Sequence, residues 1–179
     1  VRSAIFSING DKAPGPDGYN SYFFQKCWHI IGKEVTAAVQ HFFSSGQFYN
    51  PINATAITLV PKVHNPHCLG DYRPIACCTV LYKCITKIIT CRLRRVVSYL
   101  VSSSQSAFIP NRQISDNVLL AHELMRGYER NSGSPRCALK IDLRKAYDSV
   151  SWDFLEEVLM GLNFPYHFIN IIMKCVRTS

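Results

Sequence analysis

Asp142 falls at the end of a short apolar run, Cys137 to Leu143, and a second carboxylate, Asp148, follows six positions later, near the start of a helix. A carboxylate at a strand end can project into a cleft and hold a hard cation such as Mg2+, which prefers oxygen ligands. The same residues also suit a plainer role, with Asp142 capping a turn and Asp148 capping the next helix. Spacing alone leaves both readings open. A second group is basic. From Lys62 to Arg112 stand Lys62, Arg73, Lys83, Lys87, Arg92, Arg94, Arg95 and Arg112 against the single acid Asp71, a net of +7 within a chain whose net charge is +8. A concentrated positive field suits a polyanion such as nucleic acid or a nucleoside triphosphate, although a solvated basic face has the same composition. His64, His67 and Cys68 lie close together, but their spacing matches no standard zinc site and no fourth ligand is obvious.

These residues need elements to carry them. Residues 1–9 fit a short helix or strand. Asp11-Lys12-Ala13-Pro14-Gly15-Pro16-Asp17-Gly18 packs two prolines and two glycines into a segment that can be neither helix nor central strand, so a shaped loop is expected. Phe23, Phe24, Cys27, Ile30, Ile31, Val35, Ala38, Val39 and Phe42 recur at helical spacing and predict one helix from Tyr22 to Phe43, ended by Gly46. The β-branched stretch Ala54–Val60 lies between Pro51 and Pro61 and predicts a strand, with Tyr72–Cys78 pairing back on it as a hairpin. Val80–Leu100 predicts a long amphipathic helix. Leu81, Ile85, Ile88, Ile89, Val96 and Leu100 share one side of it and Lys83, Lys87 and Arg94 the other, while Arg92 falls toward the apolar side. The Lys83, Lys87, Arg94 stripe could track a phosphate backbone or be solvated surface.

Further on, a helix is expected over Ser115–Glu129, capped by Ser115 or Asp116, and a strand over Cys137–Leu143. Ser151 is placed to cap a helix running through Met160 and stopping at Gly161, and Pro165 to open a last one. Helices, a hairpin, more helices, then a strand and helices make an α+β order, not a repeated βαβ pattern. Hydrophobic residues are 47% of the 179, enough for a core, and no apolar run approaches the roughly 20 residues that span a bilayer. The eight cysteines form no C-x-x-C pair, and several, such as Cys84 and Cys91, sit in apolar segments. Reduced core thiols of an intracellular protein, in nucleus or cytoplasm, are expected. The start Val1-Arg2-Ser3 has no Met and no signal pattern, which predicts a fragment that is not secreted.

Four motifs occur in order along nearly the whole chain. They are Lys12-Ala13-Pro14-Gly15-Pro16-Asp17-Gly18, then Leu59-Val60-Pro61-Lys62 with Asp71-Tyr72-Arg73-Pro74-Ile75, then Gln105 to Asn117, then Lys140 to Val150. Together they resemble the N-terminal loop, the two fingers motifs and the first palm motif of reverse transcriptases of LINE-type (non-LTR) retrotransposons, with plant members the most similar. The resemblance implies right-hand polymerase fingers over 1–135 and the start of an incomplete palm over 136–179.

The resemblance also implies roles. Asp142 would be the first catalytic, metal-binding carboxylate, and the carbonyl of Leu143 a further ligand, for the Mg2+ (or Mn2+) of the complete enzyme. Tyr147 would lie beneath the incoming sugar and leave no space for a 2′-hydroxyl. Asp148 would be structural. Lys62 and Arg73 would clamp the triphosphate, Lys as a point charge and Arg as a fork. Gln105 and Arg112 would lie near template or primer. The implied partners are an RNA template, a DNA primer, deoxynucleoside triphosphates and the rest of a retrotransposon polyprotein. The family's aromatic-Ala-Asp-Asp turn is not in the sequence, which has no Asp-Asp pair. A polymerase piece without activity of its own is therefore expected, or else an inert nucleic-acid-binding remnant of a decayed element.

Overall fold

The computed structural model of the chain describes residues 1–126, 128, 137–142 and 149–178. Its first helix, α1 (Arg2–Phe6), is followed by the Pro-Gly loop and then by α2 (Ser21–Lys26) and α3 (Trp28–Ser45). The single helix expected over Tyr22–Phe43 is therefore two. Cys27 stands between them with φ −87° and ψ 8°. Apolar periodicity runs through the break, because residues on both sides face the same core. The break lets α2 fold against α1, where Gln25 Nε2 donates to the carbonyls of Ile5 (3.1 Å) and Ile8 (2.8 Å) at the end of α1. Gly46 ends α3 as its sequence position predicts, with a left-handed φ of 68° that glycine adopts without a Cβ penalty.

A 3-10 turn (Asn50–Asn53) leads into β1 (Thr55–Pro61), which pairs antiparallel with β2 (Tyr72–Cys78). The register runs from Thr55 opposite Cys78 to Pro61 opposite Tyr72, so the expected hairpin forms. Next comes α4 (Val80–Leu93), capped by the Thr79 hydroxyl, which accepts from Tyr82 N. The long helix expected to Leu100 stops at Leu93, and a short α5 (Val97–Leu100) follows. Between them Arg95 N bonds to Arg92 O and Val96 N to Leu93 O, a three-residue spacing that tightens the chain and takes Val96 off the apolar line. Three arginines within four positions add like-charge repulsion where the helix ends. Arg92, anomalous on the apolar side, holds its guanidinium 5.1 Å from the centre of the Phe43 ring, a cation–π contact.

After α6 (Ile114–Met125) come α7 (Trp152–Gly161) and α8 (Tyr166–Arg177). Gln113, not Ser115 or Asp116, occupies the N-cap of α6 and gives no side-chain bond there, while Ser115 Oγ donates to Gln113 Oε1. Ser151 caps α7 through Phe154 N, and Pro165 precedes α8, both as expected. The strand expected over Cys137–Leu143 is not found: residues 137–142 carry no strand. Among the described residues, β1 and β2 pair with each other and supply no ladder for a third strand, which cannot exist without one.

Among the described residues the architecture is α+β, with six helices (α1–α4, α7 and α8) around one core and the small sheet beside it. Ile5 of α1, Phe24 of α2, Val39 and Phe42 of α3, Ile85 of α4 and Ile171 of α8 belong to one buried cluster. Polar ties join its two ends in sequence: Tyr82 Oη donates to Cys175 O (2.9 Å), and the His167 ring meets Phe43 O at 2.7 Å. Arg177 bridges α7 and α8 through Asp153 (2.6 Å) and Glu156 (2.8 Å). The eight cysteines carry no disulfide. Cys84 and Cys175 are buried, which raises their thiols to about 11 and about 12, but Cys91, expected in the core, is exposed. Among the described residues no helix is long and apolar enough to cross a membrane.

Candidate functional site

The hairpin brings two of the candidate cations together. Val60 and Arg73 are directly opposed, so their side chains share a face of the sheet, and Lys62 follows one position beyond the last ladder pair. The turn that joins the strands is braced from within. Lys62 N donates to Asp71 O at 2.7 Å and Lys62 Nζ to Gly70 O at 2.7 Å. Asp71 accepts from the backbone N–H groups of His67 (2.9 Å) and Cys68 (3.1 Å), and these bonds hold its carboxyl below the usual range, with a smaller contribution from Lys62. Asp71, the lone acid of the basic block, thus shapes the turn that carries Lys62. Arg73 is exposed.

Lys83 and Lys87 stand one turn apart on α4. Lys83 is half-buried and donates to Ala13 O at 3.0 Å, so the Pro-Gly loop rests on it. That loop is a shaped element. Gly18 N bonds to Gly15 O at 3.0 Å across a turn, and the buried Ser21 hydroxyl holds Asn9 O at 2.7 Å. A Cβ on Gly15 would come within 2.5 Å of Thr79 N and 2.7 Å of Cys78 C, so only glycine lets the loop lie against the β2–α4 junction. Arg94 lies past the end of α4 beside Phe108 and Asn111, both of which have positive φ (64° and 62°).

Arg112 is engaged within the protein. Its guanidinium donates to four carbonyls, of Ser98 (3.1 Å), Val101 (3.3 Å), Ser102 (2.5 Å) and Gln105 (2.6 Å). It therefore closes the end of α5 and folds the following loop. Gln105 Nε2 donates to Ala107 O at 3.3 Å in the same loop. Asn117 secures the loop's far side through Ser104 O (3.1 Å) and Ser106 Oγ (2.9 Å). The composition signalled a cation at position 112; four non-local carbonyl partners could not be read from it.

Asp142 is exposed in a segment without regular structure, and Leu143, Tyr147 and Asp148 lie outside the described residues. Among the described residues no three His, Cys, Asp or Glu side chains converge. A cation that demands near-octahedral oxygen coordination is not held by Asp142 alone. His64, His67 and Cys68 form no such group either; the backbone of His67 and Cys68 serves Asp71 instead.

Residues 60–178 match the family model described as reverse transcriptase (RNA-dependent DNA polymerase). The chain belongs to the reverse transcriptase family. The matched stretch begins in β1 and takes in Lys62, Arg73, the α4 stripe, the Arg112 loop and Asp142. Relatives extend the likeness to the N-terminal loop. The transposon TX1 uncharacterized 149 kDa protein of Xenopus laevis is 28% identical over 172 residues, covering 96% of this chain and 13% of that protein. The retrovirus-related Pol polyprotein from type-1 retrotransposable element R2 of Bradysia coprophila is 25% identical over 96% of this chain and 19% of its own length. That from type-2 retrotransposable element R2DM of Drosophila melanogaster is 22% identical over 97% and 16%. These relatives agree with the non-LTR resemblance of the motifs. This reverse transcriptase segment spans less than a fifth of the length of any of the three.

Proposed function

We propose that the chain forms the fingers, up to about residue 135, and the beginning of the palm of an RNA-directed DNA polymerase that works within a longer retrotransposon protein. The observation that carries this is the family match over 60–178, which includes Asp142. Asp142 would supply one carboxylate for a divalent cation and the carbonyl of Leu143 a further ligand, with the rest of the ligand set coming from other parts of the longer protein. The cation's contribution is charge stabilisation on the transferred phosphate. Lys62 and Arg73, neighbours on one end of the hairpin, receive the triphosphate of the incoming nucleotide. Tyr147 excludes the 2′-hydroxyl. Lys83, Lys87 and Arg94 follow the backbone of template or primer. Arg112 and Gln105 serve the same nucleic acid by shaping the loop over 98–106, since the Arg112 guanidinium already has four internal acceptors.

For the 179 residues on their own, a second reading has a specific support: the sequence contains no Asp-Asp pair, so these residues bind nucleic acid without copying it. Primer extension separates the two levels. With an RNA template, a DNA primer and Mg2+ or Mn2+, the 179-residue chain gives no product, while a longer protein containing these residues extends the primer. Template-dependent DNA made by the 179 residues would show that the active site lies elsewhere.

A further inference from the structure

Asp71 has the wrong charge for its surroundings. It is the single acid between Lys62 and Arg112, two positions before Arg73 and bonded across the turn to Lys62. A triphosphate received there brings several negative charges, and a carboxylate alongside opposes its approach. Field strength therefore gives no reason for an acid at this position. Its hydrogen bonds do. One carboxylate oxygen, Oδ2, accepts from both His67 N (2.9 Å) and Cys68 N (3.1 Å). These amides, His67 first, hold the carboxyl below its usual range, so at neutral pH it is an anion committed to the main chain.

The bonds transmit a position. His67 and Cys68 lead into the 3-10 turn Leu69–Asp71, whose own closing bond runs from Asp71 N to Cys68 O at 3.0 Å. From the far end of that turn Asp71 thus grips the chain ahead of it, and the carbonyl between, that of Gly70, is fixed in direction. Gly70 O in turn accepts from Lys62 Nζ at 2.7 Å. The base of the turn is closed by Lys62 N, which donates to Asp71 O, also at 2.7 Å. The Lys62 ammonium is held by one of its three protons, and two more can meet phosphate oxygens. An exposed lysine otherwise samples many rotamers, and ordering it before the nucleotide arrives lowers the cost of binding.

We propose that Asp71 is a positioning residue for the incoming nucleotide. Through the 67–70 turn it holds Gly70 O where that carbonyl orients Lys62, and it strengthens triphosphate binding in spite of its charge. The carboxylate itself touches no nucleotide. This rests on the reading of Lys62 as a triphosphate contact, and Asp142 plays no part in it.

The test is single-nucleotide incorporation by the longer protein on an RNA template with a DNA primer and Mg2+. It yields an apparent Kd for the deoxynucleoside triphosphate, a maximal rate, and an amplitude that counts active molecules. Asp71→Ala removes the acceptor and should raise the Kd about fivefold, with rate and amplitude within about twofold of the unchanged protein. Asp71→Asn removes the same charge but keeps an oxygen that can take both amide bonds, and should restore the Kd to within about twofold. In a Lys62→Ala background, itself weaker in nucleotide binding, Asp71→Ala should add nothing. Equal Kd values in the Ala and Asn variants would reduce the effect to charge and overturn the proposal. So would a loss of amplitude with an unchanged Kd, the mark of a purely structural role, or a further rise of the Kd in the Lys62→Ala background. A Lys62→Ala variant that binds nucleotide normally would instead remove the triphosphate contact itself, and this proposal with it.

Discussion

The six-helix core and the elements around it contrast sharply. In the core, apolar periodicity finds partners: Ile5 and Ile171 come from opposite ends of the sequence and are both almost wholly buried. In the hairpin and α6 the pattern is as apolar, yet Ile57, Ile75, Leu119, Leu120 and Leu124 are exposed. Residues 137–142 belong with the second group, with Leu139 and Ile141 exposed and no ladder formed. The difference separates a helical body that buries its apolar residues against one another from a hairpin, α6 and the 137–142 segment, which leave theirs exposed among the described residues.

Large-to-small substitution should separate the two regions. Ile171→Ala in α8 should cost about 3 kcal/mol in a urea titration, because the surrounding helices close only partly around the void. Leu119→Ala in α6 should change stability by less than about 0.5 kcal/mol, since its side chain already meets solvent. Similar losses at both positions would erase the distinction. The Pro-Gly loop sharpens it from the other side, being irregular yet anchored to the body. Gly15→Ala should cost about 2 kcal/mol by forcing the loop off the Cys78–Thr79 backbone. It should also raise amide exchange over residues 12–18. A neutral Gly15→Ala, or amides there that already exchange at unfolded-chain rates in the unchanged protein, would make the loop a tether.

How much of this was legible follows the same division. Features fixed by a few neighbours were readable: Gly46 ending α3, Ser151 capping α7, the proline-bounded hairpin, the shaped loop around Gly15. Features fixed by distant partners were not. Nothing local marks Cys27 as a break, because both flanking helices put apolar residues into one core. The turn at Arg94–Val96 is the local exception: its main-chain bonds span three residues, but the apolar periodicity of Val80–Leu100 runs through it. Cys137 to Asp142 have strand-like residues without a partner strand. Arg92 lies on the apolar side because its guanidinium meets the ring of Phe43, about fifty residues earlier in the chain. In the candidate site, residue types and order revealed the family, while the four carbonyl partners of Arg112 and the bonds of Asp71 to the turn amides required the fold.

The most direct test of the polymerase reading is the rate of primer extension on an RNA template by the longer protein carrying Asp142→Asn, measured beside Asp153→Asn. Asp153 is an exposed carboxylate of α7 paired with Arg177, and its loss should leave the rate within about twofold. Asp142→Asn keeps the shape but replaces one ligand oxygen with an amide, and the loss of such an electrostatic contact should slow extension at least about a hundredfold, roughly 3 kcal/mol. Near-normal extension by Asp142→Asn would contradict the assignment of Asp142, and with it the proposed palm.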